Sequence, residues 1–184
     1  MTKFLKTSLA TTAFLMTFAS TALAEPSAWV GGLFGLSVPN ASNTNSRGMY
    51  GITGGAKLGS EYGIGAYYLT SSKDEDTATG KSAFNYDLYG AEFTYQFEGE
   101  AAGVYLGGRI GTSKVKSGIV TTSPMNYGAV AGFNRMLGES FSIGGELSWM
   151  SVASSSGTGS GQTTSTPIDA FSMINFLATL KLWF

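Results

Sequence analysis

The 184-residue sequence contains no cysteine and no histidine. Without cysteine, no disulfide framework can staple an exported chain, and no thiol is available to carry a lipid at a processed amino terminus. Without histidine, the usual general base for activating a serine is missing. That argues against the hydrolases and acyl transferases that depend on one. Charge is also scarce: Asp, Glu, Lys and Arg make up 12% of the residues and nearly cancel. A chain so balanced has no basic excess with which to hold a nucleic acid. After residue 24, no run approaches the ~18 consecutive apolar residues of a membrane-spanning helix.

What is present begins with an export signal. Lys3 and Lys6 form a basic start, Leu9 to Phe18 a short apolar run, and Ala22-Leu23-Ala24 a small-residue cleavage site. This pattern is that of a bacterial secretory signal peptide over residues 1–24. The expected mature chain, residues 25–184, is one domain by length. It keeps nine basic and twelve acidic residues. Glycine is abundant at 26 residues, which suits strands that pack closely.

The segment Phe171 to Phe184 reads FSMINFLATLKLWF. Counting back from Phe184, every second residue is apolar or small: Leu182, Leu180, Ala178, Phe176, Ile174, Ser172. The interleaved positions carry Lys181, Thr179 and Asn175. A period of two makes this a strand with two unlike faces. Similar alternation recurs at about 27–38, 47–58, 62–70, 82–97, 103–116, 124–135 and 141–151. The connections alternate between short turns near 60, 100 and 138 and long polar loops near 42, 76, 119 and 160. Three turns and four loops fit eight strands with both ends on one side. An open sheet edge cannot exist in hydrocarbon, so apolar faces turned to lipid require closure. The expected fold is all-β: an eight-stranded antiparallel transmembrane β-barrel, an up-and-down meander with a polar lumen. Outward aromatics fall at two levels, Tyr62, Tyr95, Phe97, Phe133, Phe141 and Phe184 near the turns and Tyr50, Tyr68, Tyr127 and Trp149 toward the loops, as membrane girdles require. The alternative is a soluble lipocalin-type barrel, with the charged face outside.

The signal peptide, the eight alternating segments and the ending LKLWF resemble the small outer-membrane barrels, the group of the OmpA transmembrane domain, OmpX and OmpW. The resemblance covers the whole expected mature chain. It implies a bacterial outer-membrane location and an assembly signal read by the barrel-assembly machinery, here Leu180, Leu182 and Phe184. It also implies contact with outer-membrane lipids and lipopolysaccharide, and a monomer whose loops meet any extracellular ligand or receptor.

The inward positions carry the candidate chemistry. Pairing Phe97 with Val104 across the 98–102 turn sets Glu92 opposite Arg109, an ion pair inside the barrel. Glu146 is expected at a similar height, with Lys57 and Lys181 nearer the turns. Such a network either neutralises a filled core or works as a gate for small ions. Above it the inward set turns apolar: Met49, Leu69, Tyr86, Leu88, Met150, Phe171 and Met173. This is either packing beneath the loops or, by the resemblance to OmpW-type barrels, a vestibule for a hydrophobic solute. On the outer face Asp87 and Lys114 share a register position and, with Lys116, reach the outer headgroup level, where lysines meet lipopolysaccharide phosphates. Asp74-Glu75-Asp76 lacks the spaced oxygens of a calcium loop, and the glycines at 157–161 do not sit between a strand and a helix as a phosphate cradle does. No catalytic residue, metal or cofactor is expected. The reading is a structural or surface-adhesion barrel presenting four loops; the alternative is a narrow passive channel or transporter.

Overall fold

The computed structural model describes residues 28–40, 45–72, 84–98, 103–117, 120–157 and 166–184. The expected signal peptide, the acidic trio at 74–76 and most of the glycine run at 157–161 lie outside these residues. Eight long antiparallel strands form the body: Ala28–Asn40, Arg47–Leu58, Tyr62–Ser71, Phe84–Gln96, Val104–Ser117, Met125–Met136, Phe141–Val152 and Phe171–Trp183. Each pairs with its neighbours in sequence, and the first pairs with the eighth, so the sheet closes. Among the described residues there is no helix.

Register fixes the shape. Followed from strand to strand, Val30 meets Gly54, Ala66, Ala91, Ile110, Tyr127, Ser151, Ser172 and finally Asn40, ten residues above its start. With eight strands, this stagger tilts the strands by about 40° and gives a backbone radius of about 8 Å. A cylinder that narrow has its interior filled by side chains. The three short turns each reverse at a glycine with positive φ: Gly59 (78°), Gly103 (93°) and Gly138 (132°). There a Cβ would be strained.

The alternation sorts side chains by face. Ile52 is 62% exposed and Phe34 51%, while Leu69 and Leu88 on inward positions are fully buried. Every barrel strand carries large apolar groups on the outside. This is the reverse of a soluble barrel and overturns the lipocalin alternative, because Glu92, Arg109, Glu146 and Lys181 are all buried.

The strand ends differ from the alternation reading. Pro39 and Asn40 belong to the first strand, not to the loop, and pair with Met173 and Ser172. At that height the second strand has ended its pairing, at Ser37 with Arg47. Proline is tolerated where a strand is an edge. The third loop is shorter than its composition suggests. The fifth strand runs on to Ser117, and its last residues Val115, Lys116 and Ser117 pair with Thr122, Thr121 and Val120 of a short added strand, Val120–Thr122. Val152 belongs to the seventh strand, buried, and Ser155–Gly157 pairs with Thr166–Ile168 in a separate two-stranded ladder. Apolar residues inside these polar stretches (Val115, Val120, Val152) supply the burial that orders them.

Candidate functional site in the filled lumen

The lumen is layered from the turns upward. At the turn end Trp29 and Trp183 face each other across the first and eighth strands, rings 5.5 Å apart. Trp183 donates from Nε1 to Ser142 Oγ at 2.8 Å. Glycines make room for this floor: a Cβ on Gly55 would lie 2.6 Å from the Trp29 ring. Lys57, half-buried, lies over Trp183 at 5.4 Å. Lys181 is buried between the rings of Tyr105 (4.7 Å) and Trp29 (5.9 Å). Neither lysine is in an ion pair among the described residues. Their partners are aromatic faces, which attract a cation through the ring quadrupole. The trailing aromatics that hold them could be read as inward from the alternation, but not as cation partners.

One layer up, Arg109 links three strands. Its Nε donates to Glu92 Oε2 at 2.6 Å, and its Nη2 also meets that carboxylate. Its Nη1 and Nη2 donate to Glu146 Oε1 and Oε2 at 2.6 and 2.9 Å. The fork thus engages one carboxylate from the neighbouring fourth strand and a second from the seventh strand, two along on the other side. Glu92 stands opposite Arg109 in register, and Glu146 shares the layer. Tyr105 donates its hydroxyl to Glu146 Oε2 at 3.1 Å. The guanidinium lies over Tyr67 at 5.0 Å, and Tyr67 donates to Asn126 Oδ1 at 2.5 Å. Asn175 donates to Ser148 at 3.1 Å. Tyr67, Asn126 and Tyr105 complete this layer. The alternation assigns them inward, yet only the register around the whole barrel shows that they meet.

Above it lies the apolar tier. Met49, Leu69, Tyr86, Leu88, Met150, Phe171 and Met173 pack in one cluster with Leu33, Tyr67, Val115, Val152 and Leu177. Tyr86 donates to Ser37 Oγ at 2.7 Å and tilts against Phe171 at 5.9 Å. Arg47, buried at the mouth, lies over the Tyr86 ring at 5.6 Å. The tier is closed above by Ile168 and the short outer strands, where Ser155 donates to Thr122 Oγ1 at 2.8 Å. Outside the barrel, Asp87 stands opposite Lys114, and its carboxylate accepts from Thr70 at 2.6 Å. Leu180, Leu182 and Phe184 point outward on the eighth strand, together with Ile174 and Phe176.

Neither protein-family descriptions nor curated proteins match the sequence. Solved structures do match. Neisserial surface protein A superposes with a TM-score of 0.66 at 13% identity, over 85% of this chain and 97% of that one. Ail, the attachment invasion locus protein of Yersinia pestis, gives 0.58 at 12% identity, over 88% of this chain and all of that one. The outer membrane protein OprG from Pseudomonas aeruginosa gives 0.50 at 10% identity, over 87% and 97%. The chain has the fold of the small eight-stranded outer-membrane barrels. At such low identity what is shared is the barrel, and the lumen just described belongs to this sequence.

Proposed function

We propose that this is a bacterial outer-membrane barrel whose body is a closed, non-enzymatic scaffold and whose activity lies in the four loops it presents outside. The observation that carries this is the lumen: Arg109 ties Glu92 and Glu146 together across it while buried side chains fill the layers below and above. A plug of paired charge and apolar packing serves a scaffold. The likeness to a Yersinia attachment invasion protein supports surface adhesion as the loops' role. On this reading the protein is a monomer in lipid, the outward lysines Lys114 and Lys116 meet lipopolysaccharide phosphates, and Leu180, Leu182 and Phe184 form the signal read during barrel assembly.

A second reading, a narrow passive path, is favoured by Asn126 Nδ2 and Asn175 Oδ1. Both are buried without a hydrogen-bond partner among the described residues. Such amide atoms are sites for water, and a hydrated polar layer is where a leak would run. Planar-bilayer recording separates the two. The scaffold reading expects no steady conductance from the purified barrel and loss of cell attachment when the loops are exchanged for short turns. Steady single-channel steps, with attachment unchanged by loop exchange, would establish the path instead.

A further inference from the structure

The outer wall is not evenly clad. A shallow groove of about 670 Å³ opens on the face formed by the fifth to eighth strands. Its floor is small, Ala131, Gly145 and Ala178, and its sides are Phe133, Leu147 and Phe176. Register explains the shape. Phe133 stands beside Gly145, which stands beside Ala178, while Leu147 lies between Ala131 and Phe176. Small outward residues also stand side by side on the second to fourth strands, at Gly54, Ala66 and Ala91. What sets this place apart is that Phe133, Leu147 and Phe176 rise around the small floor and frame a groove. The Phe133 ring leans over the gap: a Cβ on Gly145 would lie 3.0 Å from its Cε1. The volume falls within the ~300–1,000 Å³ of small-ligand sites.

The groove sits in the half of the barrel nearer the turns. Two residues below Phe133, on the same outward face, is Arg135, exposed and paired in register with Ile143. Among the described residues, Arg135 is the outward-facing cation at the turn end; Lys114 and Lys116 lie at the loop end, and Lys57 and Lys181 point inward. Glu139 is the acid of the adjoining turn, beyond Gly138. An apolar trough that ends at a cation on the headgroup level matches one chemistry. It suits an acyl chain lying along the wall with its phosphate against a guanidinium, which prefers phosphate through paired donors. We propose that this groove holds a phospholipid of the periplasmic leaflet, one acyl chain over Ala131, Gly145 and Ala178 and its phosphate on Arg135. The proposal rests on the outer-membrane reading above.

The test uses full-length protein extracted from membranes in mild detergent, with phosphatidylglycerol or phosphate-free diacylglycerol added to the micelles and retained lipid counted by native mass spectrometry. Wild type should keep one phosphatidylglycerol in preference to diacylglycerol. Ala178→Leu and Ala131→Leu place on the outer wall a residue type it already carries, and each should cut retention about tenfold, the loss of one good contact set. Arg135→Gln should abolish the preference for the phosphate-bearing lipid while the chain still binds. Each variant is first checked for the mobility shift on heating that marks a closed barrel; Arg135→Gln, at an exposed strand end, keeps the test open if a groove-filling variant does not assemble. Equal retention in wild type and variants, no retained lipid in wild type, or a protein dimer in place of the lipid would overturn the site. Absence of the protein from outer-membrane fractions would instead sink the membrane reading on which it stands.

Discussion

Arg109 donates to two carboxylates on different strands, and that changes what substitutions in the lumen cost. A cross-strand pair alone would be relieved by replacing both partners. Here Glu92→Gln with Arg109→Met still leaves Glu146 buried without its guanidinium, with only the Tyr105 hydroxyl and more distant lysines to soften it. Removing one partner of a buried ion pair typically costs about 3–5 kcal/mol. Arg109→Ala should therefore fall at or above that range in unfolding from detergent micelles. The double change should recover little, and adding Glu146→Gln should recover most. If the double change already restores wild-type stability, Glu146 is not held by Arg109 in solution. The pairing of 92 with 109 is readable from the sequence because one short turn sets their register. Glu146 is readable as sharing their height, but not as the acceptor of both Arg109 Nη atoms, because a long loop joins the fifth strand to the sixth and leaves the register between Arg109 and the seventh strand open in the sequence.

At the scale of elements, the eight strands are readable because their period is two and the lipid-facing residues are large. The places where the reading fails are at the loop end, where strands run past their neighbours. Pro39 and the segments Val120–Thr122 and Ser155–Gly157 look like loop by composition. They are strand because single partners and a few valines suffice there. The ladder of Ser155–Gly157 with Thr166–Ile168 has three residue pairs and little burial. A lone two-stranded ladder is marginally stable at best. Its amides should exchange with deuterium through local opening, well before those of Ile174 to Leu180 in the eighth strand, which are paired on both sides. Protection of the ladder equal to that of the eighth strand would show that it is locked to the barrel mouth more firmly than its contacts imply.

For the whole molecule the decisive feature is the seam. Seven of the eight strand junctions join segments that follow each other in sequence; the eighth joins the first strand to the last. That junction runs from Asn40 with Ser172 down to Ala28, whose N–H and C=O exchange bonds with those of Phe184, each at 3.0 Å. Phe184 thus has two separable parts. Its backbone completes the seam, and its ring points outward, 45% exposed, where it adds little to packing within the barrel. Phe184→Ala keeps the backbone pair and removes the ring. In protein refolded into micelles it should change stability by less than about 1 kcal/mol, as exposed positions usually do. If the proposed assembly signal is read through this ring, the same change should sharply lower the amount of barrel in the outer membrane of cells. Deleting Phe184 removes ring and backbone pair together, so it should lower assembly and also weaken the closed form, seen as loss of the folded band at a lower temperature. Normal surface amounts of Phe184→Ala would refute recognition through the ring. A large stability loss in micelles would instead make the residue structural, because the ring would then be packing against the seam rather than waiting for a partner.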